Sequence, residues 1–175
     1  GRWWYHMLRG DEFTESASRR RSIGHSRVLA PQRRVDDTAR AVVIRLLEKA
    51  AARARRLEYW SRRLCLSIRY IDGRNCMASS SFPECNDTLT LVGSLTRMWE
   101  RRPRGTMLKV GVTLEELSGT GSATGTLFRE ARDREGVARA MDRVNAKYGR
   151  ATVFLAWTEE VQSTRPDSIA WGSIP

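Results

Sequence analysis

Histidine and cysteine, which build many catalytic and metal sites, are scarce in this chain. Its 175 residues include two histidines and three cysteines, and Cys65, Cys76 and Cys85 form no Cys-x-x-Cys pair. Structural zinc sites need four such ligands at characteristic spacings, so the sequence predicts no metal site. Because an odd number of unpaired thiols is typical of a reducing compartment, we expect a cytoplasmic protein.

Long apolar runs and converging carboxylates are also missing. No window approaches the roughly 18 apolar residues of a membrane helix, and the tryptophan-rich start is too short and too charged for a signal peptide. Acid–base and two-metal catalysis need carboxylates that meet at one point. The adjacent pair Glu115 and Glu116 is expected to point to opposite faces of a strand. We therefore predict no catalytic residue, no membrane contact and no small-molecule substrate.

Arginine, in contrast, is abundant. The net charge is +11, and the 31 basic residues comprise 28 arginines and three lysines. The guanidinium group is a planar fork of donors that suits phosphate oxygens, and a basic field attracts polyanions, so nucleic acid is the leading partner class. GC-rich codon usage would also enrich arginine. Residues 1–60 carry +7, residues 61–117 carry +3 and residues 118–175 carry +1, so the anion-binding surface is expected in the first two thirds.

Hydrophobic periodicity predicts an α+β domain with the order strand, helix, strand, strand, helix, strand. The predicted strands are 21–29, 63–70, 75–82 and 107–117, and the two helices begin near Asp36 and Asp87. A four-stranded antiparallel or mixed sheet with both helices on one face leaves its other face open. Strand alternation places Arg63 and Arg69 on the open face, and Lys109 joins them if the sheet is continuous.

The segments around this domain have different compositions. We expect residues 1–20 to be a helix end and a linker, 21–117 the main domain, 118–130 a flexible linker, and 131–175 a helix–strand extension with its strand at 151–157. One face of the first predicted helix carries a row of basic residues, Arg45, Lys49, Arg53 and Arg56. The simpler explanation of this row is a solvated helix face.

The order of these motifs resembles a known family. The segment Ser22–Leu29, the strand pair and Val110-Gly111-Val112-Thr113 resemble the little finger of Y-family translesion DNA polymerases, the impB/mucB/samB C-terminal domain, over about residues 20–117. Residues 1–13 look like the last helix of the preceding thumb domain, and residues 14–20 like the tether between the two domains. Residues 142–153 look like the D-x-x-N-x-x-Y-G-x-x-T-V segment of UmuC-like members.

The resemblance implies a partner and a set of contacts. The open face of the sheet would lie along the major groove of duplex primer-template DNA and touch its backbone, in DNA damage tolerance and the SOS response. The residues that match the segment holding the template backbone are Arg20, Arg21, Ser22, Gly24, His25 and Arg27. Strand parity adds Arg63, Arg69 and Lys109. The magnesium-binding palm of a parent polymerase would lie upstream, so this fragment is expected to hold no cofactor and to be no enzyme.

Two other functions stay open at this stage. UmuC-like members often carry a Q-L-x-L-F peptide that binds the sliding clamp, and this chain keeps only its last two residues, Leu127 and Phe128. A protein-interaction module that recruits a clamp or repair partner is therefore an alternative, in which the basic face is incidental. An RNA-binding module ranks last because the expected open face lacks the aromatic side chains on which bases stack.

Overall fold

A computed structural model describes Tyr5, Leu8, Arg9 and residues 21–119, 129–149 and 152–156. The elements are β1 (Ser22–Val28), a 3-10 turn (Pro31–Arg33), α1 (Asp36–Arg56), β2 (Tyr59–Tyr70), β3 (Asn75–Cys85), α2 (Thr88–Glu100), β4 (Met107–Glu115), β5 (Ser118–Gly119) and α3 (Arg129–Tyr148). The predicted α+β class and the predicted order of strands and helices are confirmed. None of the described helices is both long and apolar enough to span a bilayer.

The four long strands form one antiparallel sheet in the order β1, β4, β2, β3. The sequence left antiparallel and mixed sheets open, and the structure contains antiparallel pairs only among its described strands. The short strand β5 pairs with the beginning of β2. Strands β1 and β3 are therefore the two edges of the sheet, and β2 lies in its centre.

Alternation along β2 fixes which face of the sheet is buried. Leu64, Leu66 and Ile68 are almost completely buried, whereas Ser67 and Arg69 between and beyond them are exposed. Both helices pack on the buried face, as predicted, and α1 supplies several alanines that allow a close approach. Each fully buried Leu or Ile contributes roughly 1.5–3 kcal/mol through removal of apolar surface from water.

The two helices of the core begin in different ways. The Asp87 side chain is the N-cap of α2 and accepts a hydrogen bond from the Thr90 backbone N–H at 2.8 Å, as its position in the sequence predicts. The N-cap of α1 is Val35, which supplies no side-chain hydrogen bond. Asp36 and Asp37 occupy the first turn of α1, where the positive end of the helix dipole favours carboxylates.

Polar contacts attach the C-terminal helix α3 to the core. The Arg55 guanidinium is 7% exposed and binds the Asp142 carboxylate through two contacts, Nε to Oδ2 at 2.6 Å and Nη2 to Oδ1 at 3.0 Å. The same guanidinium donates to the Asn86 carbonyl oxygen at 2.7 Å and to the Thr88 hydroxyl at 3.0 Å. One side chain therefore joins the end of α1, the start of α2 and the middle of α3.

The segment after α3 forms no strand in the described residues 152–156, so the strand predicted at 151–157 is wrong there. The Asn145 side chain donates to the Val153 carbonyl oxygen and accepts from the Val153 N–H, both at 2.9 Å. The Thr152 hydroxyl donates to the Gly149 carbonyl at 2.8 Å, and Gly149 has φ of 109°. Side-chain groups thus satisfy backbone bonds that a neighbouring strand would otherwise supply.

The two predicted linkers lie partly outside the described residues. Within 118–130, β5 occupies the first two positions and α3 begins at Arg129. The predicted thumb helix and tether at 1–20 lie outside the described residues except for Tyr5, Leu8 and Arg9. In this part of the chain the domain boundaries stay predictions.

Replacement of Asp142 by alanine is expected to loosen α3 while leaving the sheet intact. The substitution leaves the buried Arg55 charge without its carboxylate, although Arg55 keeps two neutral acceptors, and we expect a local cost of about 2 kcal/mol. Amide hydrogen exchange in α3 should become roughly thirtyfold faster. Asp133→Ala is the matched control, because Asp133 is exposed on the same helix. Equal exchange rates in both variants would contradict the role of the Arg55 contact.

Candidate nucleic-acid interface

Four rows of directly opposed residues cross the open face of the sheet, one from each long strand. In the strand order β1, β4, β2, β3 the rows are Val28, Lys109, Arg69, Asn75; then Ser26, Gly111, Ser67, Met77; then Gly24, Thr113, Cys65, Ser79; and finally Ser22, Glu115, Arg63, Ser81. The charged side chains occupy the first and last rows. The two middle rows carry none.

The two middle rows form a floor whose side chains, apart from Met77, are short and closely packed. A Cβ atom at Gly111 would lie 2.8 Å from the Ser67 Oγ and 2.9 Å from the Ser26 Cβ. A Cβ atom at Gly24 would lie 2.9 Å from the Val112 carbonyl oxygen. Glycine is therefore required at both positions by close approach. Only Met77, at the β3 edge, presents a large exposed side chain above this floor.

The first row places two cations side by side. Arg69 and Lys109 are directly opposed, both are exposed, and neither side chain has a hydrogen bond or ion pair with another described residue. Directly opposed like charges destabilise an antiparallel pair, since their Cβ atoms are about 4.5–5.5 Å apart. An anion bound between them would remove this repulsion. The open-face positions predicted for Arg69 and Lys109 are confirmed.

Arg63 also lies on the open face, as predicted, but acidic groups surround it. Glu115 is directly opposite Arg63 on β4, and the Glu116 Oε1 lies 3.1 Å from the Arg63 Nη2. The prediction that Glu115 and Glu116 point to opposite faces is wrong. Strand β4 ends at Glu115, and the backbone of Glu116 turns with φ of 52°, which returns its carboxylate to the open face.

The predicted contacts on β1 are divided between its two faces. Ser22 and Gly24 lie on the open face, whereas His25 and Arg27 are opposite Val112 and Val110 on the face that carries the helices. Both His25 and Arg27 are half-buried. Because β1 is an edge strand, the side chains on both of its faces lie beside the same unpaired backbone edge. The residues predicted on β1 therefore lie partly on the open face and partly on the opposite face, along this edge.

The remaining predicted residues have little structural context. Arg21 is exposed and directly precedes β1. Arg20, Leu127 and Phe128 lie outside the described residues. Sequence reasoning did not identify the open-face residues of β3, because a strand rich in serine has no clear alternation that would orient it. They are Asn75, Met77, Ser79 and Ser81.

Cys65 on the open face and Cys85 in the core are not activated nucleophiles. Burial, followed by a hydrogen bond and the charge of Glu115, raises the pKa of Cys65 to about 11. Burial, followed by the charge of Asp87, raises the pKa of Cys85 to about 12. These two thiols are therefore protonated near neutral pH. No group of three metal-ligating side chains occurs among residues of the described ranges.

Alkylation of Cys65 by iodoacetamide is expected to be slow at pH 8 and to accelerate until the pH reaches about 11. The thiolate is the reactive form, so its population follows this raised pKa. Glu115→Gln removes a carboxylate that raises the pKa, so it should speed alkylation at pH 8. Peptide-resolved mass spectrometry measures the rate at Cys65, and Glu100→Gln on α2 is the control. A plateau already reached near pH 9 would contradict the raised pKa.

These features define a class of small α+β domain in which both helices cover one face of an antiparallel sheet and the other face is open. The impB/mucB/samB family C-terminal domain matches residues 20–127 of the sequence, more than half of its length. The chain belongs to this family. By this family membership, its domain is a little finger of the Y-family polymerases.

Several solved structures are similar to this chain at low sequence identity. The little finger domain of PolIV, in a complex with the beta-clamp processivity factor, is 16% identical with a TM-score of 0.46, covering 61% of this chain and 97% of that one. A Dbh-Dpo4(243-245)-Dbh polymerase chimera is 13% identical with a TM-score of 0.47, and Dbh in an insertion ternary complex is 11% identical with a TM-score of 0.46. The two Dbh matches each cover 67% of this chain and 35% of the polymerase chain. No curated protein sequence matches this chain.

Proposed function

We propose that this domain binds the sugar-phosphate backbone of duplex DNA through the open face of its sheet, without reading base sequence. The observation that carries the proposal is the opposed pair Arg69 and Lys109, two exposed cations with no partner among the described residues. They stand at one end of the floor of short side chains. Such a surface allows a phosphate to approach both cations and the neighbouring backbone.

The composition of the open face favours backbone contacts over base contacts. Base recognition in the major groove uses bidentate groups such as Asn, Gln or Arg on a protruding element. Here the two middle rows of the open face contain serine, glycine, threonine, cysteine and methionine. No aromatic side chain occurs in the four rows, so stacking of single-stranded RNA bases has no platform.

Within a Y-family polymerase, we propose that the domain holds primer-template DNA during damage tolerance. A polymerase that accepts damaged templates benefits from a grip that ignores base identity, and phosphate contacts supply that grip. Metal-dependent nucleotide transfer would belong to a palm domain in the same protein. The free cysteines support a reducing, cytoplasmic location.

The double substitution Arg69→Ala and Lys109→Ala is expected to weaken duplex binding roughly tenfold, because two charge-assisted contacts are lost. The slope of log Kd against log salt concentration should fall by about 1.8, since each phosphate contact releases about 0.9 of a counterion. Fluorescence anisotropy of a labelled primer-template duplex at several salt concentrations measures both quantities, with single-stranded DNA and duplex RNA as competitors.

The control for this experiment is Arg97→Ala with Arg143→Ala, which removes two exposed arginines from α2 and α3. It changes the net charge by the same amount but leaves the open face intact. Similar losses in both double variants would show that total charge, and not the face, attracts DNA. Absence of binding by the unchanged protein at low salt would overturn the proposed function.

Sliding-clamp binding is a second proposal, and it rests on the adjacent Leu127 and Phe128 of the sequence. Apolar anchors on a short segment can fill a hydrophobic pocket on a partner, and two such anchors commonly carry much of the binding energy. Leu127→Ala with Phe128→Ala should weaken binding to immobilised clamp at least tenfold, as measured by surface plasmon resonance. DNA binding by the same variant should be unchanged. Clamp binding that survives the double substitution would exclude this peptide.

A further inference from the structure

The last row of the open face contains an acidic corner formed by Arg63, Glu115 and Glu116. Arg63 and Glu115 are directly opposed across β2 and β4, and Glu116 forms an ion pair with Arg63 at 3.1 Å. Their formal charges sum to −1. The first row, with Arg69 and Lys109, sums to +2. The open face therefore has a basic end and a weakly acidic end, although Arg63 lies at the acidic one.

Local structure specifically builds this corner. The pairing of β2 with β3 is irregular between Ser61 and Arg63, because one residue of β2 and three residues of β3 separate the paired positions, and the buried Ser61 hydroxyl lies 2.8 Å from the carbonyl oxygens of both Arg63 and Glu115. Such irregularities redirect the side chains beside them. Glu116 adopts a left-handed backbone conformation that is uncommon for a residue other than glycine. The register irregularity before Arg63 and the left-handed backbone of Glu116 thus accompany the ion pair between the two residues.

We propose that the Glu116 carboxylate competes with phosphate for the Arg63 guanidinium. This competition keeps DNA from this end of the open face until the carboxylate is displaced. This inference rests on the proposed DNA-binding function and adds a regulatory contact to it. A carboxylate and a phosphate offer similar oxygen acceptors to a guanidinium group, so one replaces the other at the same donors.

The exposure of the pair makes the exchange feasible. The side chains of Arg63 and Glu116 are 42% and 48% exposed, so a phosphate reaches the guanidinium without opening the core. Exposed ion pairs hold their partners weakly because water and salt screen them. The Arg63 Nε is buried and has no hydrogen-bond partner among the described residues, so one donor of this guanidinium is unsatisfied.

The substitution Glu116→Gln tests this inference. It preserves the size of the side chain but removes the competing charge, so DNA affinity should rise roughly three- to tenfold in 0.1 M salt and the salt slope should increase by about 0.9. Arg63→Ala alone should weaken binding clearly less than Arg69→Ala with Lys109→Ala, because Arg63 is already occupied. Arg63→Ala added to Glu116→Gln should abolish most of the gain.

The matched control is Glu100→Gln, which makes the same charge change at an exposed position on α2, on the other side of the sheet. An equal gain in affinity from Glu100→Gln would overturn the inference, since it would show an effect of net charge alone. A loss on Arg63→Ala as large as that on Arg69→Ala with Lys109→Ala would also overturn it, because Arg63 would then already contact DNA.

A second measurement does not depend on DNA binding. Titration with inorganic phosphate should shift the Arg63 side-chain resonances in a ¹⁵N-edited NMR spectrum of Glu116→Gln and leave those of the unchanged protein nearly fixed. Equal shifts in the two proteins would overturn the competitor role. If phosphate shifts Arg63 only in Glu116→Gln while no protein binds DNA, the competitor contact is supported and the proposed DNA-binding function fails.

Discussion

The pairing of β2 between β3 and β4 is the constraint on which the rest of this structure depends. Its apolar side chains Leu64, Leu66 and Ile68 are buried against both helices. Because side chains alternate across a strand, a slip of one residue would expose these three and bury Arg63 and Arg69. The hydrophobic cost of that exchange and the cost of unpaired buried charge both select the observed register. The identity of the open face therefore follows from the packing of the core.

The same register gives the open face its uneven chemistry. It places Arg69 against Lys109 at one end and Arg63 against Glu115 at the other. Like charges repel each other at one end, where the proposed phosphate contact would relieve the repulsion, whereas opposite charges are paired at the other end. The placement of two cations side by side is a more specific argument for phosphate binding than the total charge of +11.

Helix α3 extends the domain through polar contacts more than through burial of apolar surface. Ala138 is its one buried hydrophobic residue among the described positions, and Arg55 holds Asp142 from the core side. The turn that follows depends on the Asn145 amide, which replaces a strand partner for Val153. An isolated sequence pattern does not distinguish such a turn from a strand, since Ala151–Trp157 is apolar and β-branched enough for either. The Asn145 side-chain amide, whose hydrogen bonds make this segment a turn and not a strand, lies eight residues before Val153.

The sequence by itself determined the order of elements, the helix cap at Asp87, the buried face of β2 and the open-face position of Arg69. Each of these follows from local periodicity or from hydrogen bonding within a few residues. Tertiary structure alone decided that His25 and Arg27 lie on the helical face of an edge strand and that Glu116 turns back to Arg63. Those outcomes depend on which strand lies beside which and on where a strand ends, and contacts between residues distant in sequence fix both.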